Sequence, residues 1–230
     1  MADIFAIQRL EFAFAPLPWP FEEQRRAEID AHFAAARREK PAMFNGQVLL
    51  LRDWTVDAGV LRGTFFATDF ASLLAWQDFG HPEAQAINCF AMGALRGADG
   101  ALLLGVMGSH TANAGQIYFP AGTPDLSDIV GDRVDLDASV WREVAEETGL
   151  TPRDLAADPG WIAVRDGSRL ALIKTLRARL DAAALRALIC EHLVADEHPE
   201  LADIRIVRGE DDLDPAMPVF IAAYLRHVWD

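Results

Sequence analysis

The chain has 230 residues, of which 51% are hydrophobic, with two cysteines and a formal net charge of −14 at neutral pH. A core can be buried without disulfides or structural metals, and Cys89 and Cys190 have no C-x-x-C spacing or neighbouring His/Cys cluster that would make a zinc site. The acidic balance repels nucleic-acid backbones, no apolar run approaches the roughly 18 residues of a membrane span, and an amino terminus with Asp3 and no basic start is not that of a signal peptide, so a cytoplasmic protein is expected.

Ile4 to Phe14 alternates loosely between apolar and polar residues and predicts one strand, ended by Pro16-Leu-Pro-Trp-Pro20. Phe21 to Lys40 predicts a helix. Its Arg25, Arg26, Arg37, Arg38 and Lys40 are interleaved with Glu22, Glu23, Glu28, Asp30 and Glu39, which reads as a solvated face and not as a basic patch. Gln47–Trp54 and Val60–Ala67 predict a hairpin about Asp57-Ala-Gly59, and Asp69 caps a short helix to about Asp78. The pattern breaks at His81-Pro82-Glu83. A boundary is therefore expected there, between an N-terminal extension (1–85: strand, helix, hairpin, short helix) and the main domain (86–230).

In that main domain, Asn88–Leu95 and Ala101–Val106 are strand-like and flank the turn Gly97–Gly100. A polar loop, Ser109–Gly115, leads to a short strand at Gln116–Phe119, followed by Pro120-Ala-Gly-Thr-Pro124, an acidic loop and a helix from about Leu136 to Thr148. Strands are expected at Trp161–Val164, Ala171–Thr175 and Ile204–Val207, with a helix after Asp181 and a last helix opening at Asp214-Pro215. Strands interrupted by helices predict an α/β fold with a mixed sheet covered on both faces, plus an α+β extension.

The chemistry concentrates in Arg142-Glu-Val-Ala-Glu-Glu-Thr-Gly-Leu150, on a helix capped by Asp135 or Asp137 and stopped by Gly149. At 100° per residue, Val140, Trp141, Val144 and Thr148 share one face and Glu143, Glu146 and Glu147 the opposite one, with Arg142 beside Glu146. Like charges at i,i+4, as in Glu143 and Glu147, destabilise a helix by a few tenths of a kcal/mol, and by more inside a cleft. A divalent cation relieves that repulsion. Magnesium takes a few hard carboxylates and fills its other positions with water and substrate phosphate, so two glutamates on a metal and a third acting on water make a hydrolytic site. A solvated acidic face on a purely structural or interaction protein is the other reading of these three residues alone.

The fuller pattern resembles the Nudix box: Gly, five residues, Glu, seven residues, then Arg-Glu-(aliphatic)-x-Glu-Glu-x-Gly-(aliphatic). Its second half is matched at every specified position by Arg142, Glu143, Val144, Glu146, Glu147, Gly149 and Leu150. The first half departs: counting back places the Gly position on Asp128 and the Glu position on Val134. The alignment adopted makes Gly122 the box glycine, with extra residues before the helix. The upstream Glu then lacks a counterpart, Asp132 and Asp135 being the nearest.

The resemblance implies a Nudix-type α/β/α sandwich that hydrolyses the diphosphate linkage of a small nucleotide-like molecule. Glu143, Glu146 and Glu147 would hold Mg²⁺ or Mn²⁺ and activate water, Arg142 would orient the glutamate row through an ion pair, and Ala121 or Gly122 would offer the metal a carbonyl. Some members take the base from a loop, for which Glu197 and Glu200 are candidates. Gly122, Arg96 and His110, with Asn113, are candidates to face substrate. An extension such as residues 1–85 adds substrate contacts or a homodimer surface. Asn45-Gly46, Thr68-Asp69-Phe70 and the Ala112–Gly122 stretch resemble the nucleoside-diphosphate-sugar branch, while dinucleotide polyphosphates, ADP-ribose and coenzyme A stay open. The alternative function is a Nudix-fold sensor or regulator that binds a nucleotide without cleaving it.

Overall fold

The computed structural model describes residues 2–41, 43–83 and 85–230. In chain order the elements are β1 (Asp3–Ile7), β2 (Arg9–Phe14), α1 (Pro20–Glu39), β3 (Gln47–Asp57), β4 (Val60–Asp69), α2 (Phe70–Asp78), β5 (Asn88–Arg96), β6 (Leu102–Met107), β7 (Ile117–Tyr118), β8 (Ala121–Gly122), β9 (Ile129–Val130), β10 (Arg133–Val134), α3 (Leu136–Thr148), β11 (Leu155–Ala157), β12 (Trp161–Asp166), β13 (Arg169–Ala178), α4 (Ala182–Ala195), β14 (Leu201–Val207) and α5 (Val219–Trp229).

Two mixed sheets result. The larger runs β1-β12-β13-β5-β6-β14, with β11, β7 and β8 attached at β13, β6 and β5, and the smaller runs β3-β4-β2-β10-β9. β13 and β5 are parallel in the first, β2 and β4 in the second. Gly93 of β5 lies against Val144 of α3, whereas Phe90 of the same strand meets Phe220 of α5 edge-on at 5.6 Å. Residues 90 and 93 point to opposite faces of a strand, so α3 and α5 cover opposite sides of the sheet. This is the expected α/β/α sandwich.

The hairpin β3–β4 is the shared wall of two cores. Leu49, Leu51 and Phe65 face the core of the large sheet, while Val48, Leu50 and Phe66 pack with Trp19, Phe21 and Trp76 from the α1–α2 side. Burial on both faces explains why Val48 to Leu51 is an unbroken apolar run and not an alternating one. α2 begins as its sequence requires, with Asp69 Oδ1 accepting from the Ser72 amide at 2.8 Å.

Two expectations are corrected. The single strand over Ile4–Phe14 is two strands in two sheets: β1 pairs with β12, and β2 pairs with β4. The chain turns at Gln8, where the amides of Gln8 and Arg9 both donate to the Gly59 carbonyl at 2.7 and 3.2 Å. A period of two persists through a change of partner, so alternation could not reveal it. The last helix opens at Val219 and not at Asp214-Pro215. There the Met217 amide closes a turn on the Asp214 carbonyl at 2.9 Å, and Pro218 keeps Met217 out of helical geometry. Among the described residues no helix is long and apolar enough to cross a membrane.

Candidate active site

The site grows from the junction of β8 and α3. β8 adds two residues to the sheet, pairing Ala121 with Met92 and Gly122 with Ala91. Between it and α3 the extra residues form a 3-10 turn at Leu126–Asp128 and the ribbon β9–β10, which joins the smaller sheet where Arg133 pairs with Ala13. The added length is thus used to reach the second sheet before the helix starts. α3 opens with Asp135 Oδ1 accepting from the Ala138 amide at 3.0 Å, and it stops at Gly149, whose φ of 72° is left-handed.

The three glutamates do not share one environment. Glu147 is 5% exposed, and its Oε1 accepts from the Ala121 amide at 3.0 Å. Its Oε2 is buried without a partner among the described residues. Glu143 is half-buried against Gly122, close enough that a Cβ on residue 122 would collide with its carboxylate. Glu146 lies outside, its side chain 62% exposed. Arg142 bridges the row, with Nη1 at 2.6 Å from Glu143 Oε1 and 3.6 Å from Glu146 Oε2, and Nη2 at 3.0 Å from Asp128 Oδ1.

Electrostatics follow from this packing. Burial pushes the Glu147 carboxyl up to about 9, partly countered by the Ala121 N–H and reinforced by Glu143, Glu200 and Glu146. Burial likewise raises Glu143 to about 7, against the pull of Arg142 and with Glu146, Glu200 and Asp128 adding repulsion. Two helix-borne carboxyls, one turn apart, therefore resist ionising together. Among the described residues no three His, Cys, Asp or Glu side chains already converge into a metal-ligating cluster.

This geometry sits on the residues of the box. The chain resembles the Nudix hydrolase family.

No protein-family model matches the sequence, and no curated protein does so. Among solved structures, the chain is similar to a Nudix hydrolase from M. smegmatis, RenU, at 17% identity and a TM-score of 0.37, covering 61% of this chain and 82% of that one. It is similar to the MutT protein of Methanosarcina mazei Go1 at 19% identity and a TM-score of 0.40, covering 61% and 91%. A third neighbour is the NUDIX domain of Shewanella oneidensis NrtR, complexed with ADP ribose, at 16% identity and a TM-score of 0.39, covering 68% and 98%.

Around the box, the other sequence candidates separate. Gly122 touches Glu143 directly. His110 is exposed in the loop after β6, its ring over Gly108, whose amide donates to the Glu200 carbonyl at 2.7 Å. Asn113 donates to the Tyr118 hydroxyl at 3.1 Å, and burial pushes that phenol up to about 12. Glu200, just before β14, raises both Glu143 and Glu147. Arg96 is not brought to the group. It closes the far end of β5, donating to the Gly100 carbonyl at 3.2 Å, four residues and roughly 13 Å beyond Met92, where β8 pairs. Asp132 and Asp135 do not replace the upstream glutamate: Asp132 is exposed and Asp135 caps the helix.

Asp128 is the residue that sequence reasoning missed. It is buried, receives Arg142, and accepts from the Asp125 amide at 3.0 Å in a reciprocal capping box with Asp125. The Asp125-x-x-Asp128 spacing was the available signal.

A cavity of about 840 Å³ adjoins the site. Tyr118, Ala121, Gly122 and Thr123 line it together with residues of α1, α2, β5 and the segment leading into α5. A diphosphate lying against Gly122 would touch the strand that Glu143 and Glu147 grip from behind. Gly122→Ala is expected to lower kcat by about 10²-fold with the fold retained, because displacing a reacting group by an ångström has that effect. Steady-state kinetics and circular dichroism on the variant check this.

Proposed function

We propose that this protein is a metal-dependent hydrolase of phosphorus-containing anhydrides, a Nudix pyrophosphohydrolase acting on a nucleoside diphosphate linked to a second group, nucleotide sugars included. The observation that carries the reading is the pair Glu143 and Glu147, buried on one helix against Ala121 and Gly122, two residues that in turn line a substrate-sized cavity.

These residues fit a divalent cation. Glu147 Oε2 is a buried oxygen with no partner among the described residues, and burial, with the neighbouring carboxylates, drives both carboxyls toward their protonated forms. Glu143 and Glu147, with the more exposed Glu146, would hold Mg²⁺ or Mn²⁺. Bound there, the ion would offset charge on the phosphate oxygens and make water more acidic. Arg142, anchored from behind by Asp128, keeps the glutamate row in place.

Glu200 is the group we assign as the base. It is exposed, and its charge opposes ionisation of both buried glutamates. Glu200 takes a proton from water as the water oxygen attacks one phosphorus. The bridging P–O bond breaks, leaving two phosphate monoesters. Residues 1–85 are assigned to the substrate side, through α1 and α2 in the cavity wall.

The test is a hydrolysis screen over nucleotide sugars, ADP-ribose, dinucleotide polyphosphates and coenzyme A, with Mg²⁺ or Mn²⁺ and then with chelator. Turnover that disappears on chelation supports the reading. Tight binding without turnover of any compound would favour a sensor instead. In the same assay Glu200→Gln is expected to lose about 10²- to 10³-fold in kcat with an unchanged melting temperature, and Glu197→Gln is expected to match the parent.

A further inference from the structure

We infer that His192 is a positioning residue for the hydrolysis: its imidazole ties the helix that carries Glu143, Glu146 and Glu147 to the loop that carries Glu200. This rests on the reading of the site given above, in which the helix holds the metal and Glu200 takes the proton from water.

A helix leaves its last four carbonyls without intrahelical partners. At the end of α3 the Ala145 carbonyl is taken by the Gly149 amide at 2.9 Å, and the next one, that of Glu146, accepts from Nε2 of His192 at 3.1 Å. A carbonyl oxygen only accepts, so Nε2 carries the proton. The ring is also seated sterically. A Cβ on residue 149 would lie 2.7 Å from both Cγ and Nδ1 of His192. The left-handed φ of 72° already favours glycine there, so Gly149 serves twice: it stops α3, and it leaves room for the imidazole.

The same residue holds the other partner. The His192 carbonyl accepts from the Asp196 amide at 3.1 Å, which closes α4 and begins the loop to Glu200. That loop is braced by the His198 amide donating to Asp196 Oδ1 at 2.9 Å, and it ends where the Glu200 carbonyl accepts from the Gly108 amide at 2.7 Å. Ring, helix end and braced loop thus run without a break from the Glu146 carbonyl to Glu200. A base works only within hydrogen-bond reach of the water it deprotonates, and a displacement of about an ångström costs catalysis heavily. His192 is the point at which the loop of the base is fixed to the row it serves.

The experiment compares the parent with His192→Leu and with His192→Gln, whose amide nitrogen can stand where Nε2 does. Hydrogen exchange is measured first, on the full chain in chelator, where it needs no turnover. His192→Leu is expected to speed exchange of the Gly108 amide about 10-fold, with the Ser72 amide near the start of α2 unchanged, and His192→Gln to restore the slow rate. Kinetics follow with whichever compound of the hydrolysis screen is turned over. His192→Leu is expected to lower kcat about 10-fold with KM within about two-fold of the parent, and His192→Gln to recover most of the loss. In a Glu200→Gln background the same leucine substitution should cost less than about two-fold, because the group it positions is already disabled. A loss that multiplies unchanged in that background, a glutamine variant that behaves as the leucine one, a Gly108 amide no faster than in the parent, or equal acceleration of Gly108 and Ser72 would overturn the inference. A failed hydrolysis screen would dismiss the hydrolase reading and not the tie, which the exchange rates would then decide alone.

Discussion

Glu147→Gln is expected to lower turnover by about 10³-fold or more while raising the melting temperature of the metal-free protein above neutral pH. The amide keeps the shape of the side chain and can still accept from the Ala121 N–H that now meets Oε1 at 3.0 Å. What it removes is the negative charge, the property a divalent ion needs and an apolar site resists. Burial, with Glu143, Glu200 and Glu146 nearby, places this carboxyl near 9 in the folded chain, so ionising it without a cation opposes folding. One substitution should therefore move activity and stability in opposite directions, as expected where a site is strained for function. Kinetics with Mg²⁺ and differential scanning calorimetry in chelator check the two halves. A variant that is both active and unchanged in melting temperature would remove Glu147 from the mechanism.

The second large effect is on stability against pH. The folded-state pKa values of about 7 for Glu143 and about 9 for Glu147 lie above the ordinary value of 4.5. Between those limits the folded chain holds protons that the unfolded chain has shed, so stability falls as pH rises. The contribution is fully present below about 4.5 and is lost through about 7 for the first group and about 9 for the second. His81, held down by burial and by Arg169, titrates with the opposite slope at lower pH, so the informative window is pH 7 to 9. Across it the metal-free melting temperature is expected to fall on the order of 10 °C. Mn²⁺ should restore most of the loss at pH 9 and progressively less toward pH 7, because a cation favours the deprotonated carboxylates. Glu147→Gln should flatten the slope. A level profile in the parent would contradict the burial argument.

The fold was legible wherever the signal was local. The cap at Asp69, the turn before Val60, the helix from Leu136 to Thr148 and its Gly149 stop depend on residues a few positions apart, and each lies where its sequence placed it. The division of 3–14 into two strands was hidden, because choosing a sheet requires knowing the partner. The helix wheel grouped Glu143, Glu146 and Glu147 on one face, but it could not tell which of them β8 would cover; the answer is Glu147 and, less fully, Glu143. Asp128 reaches Arg142 only because the inserted ribbon folds back onto the second sheet. Arg96 drew attention by its charge, but strand register carries it to the opposite end of β5.

The most direct measurement is a Mn²⁺ titration of the full chain at pH 8, followed by electron paramagnetic resonance, on the parent and on Glu143→Gln and Glu147→Gln. Saturable Mn²⁺ binding by the parent, weakened by at least about 10-fold in each variant with the fold intact, is the predicted result. A parent that binds no Mn²⁺, or variants that bind it as tightly as the parent, would contradict the account at its centre.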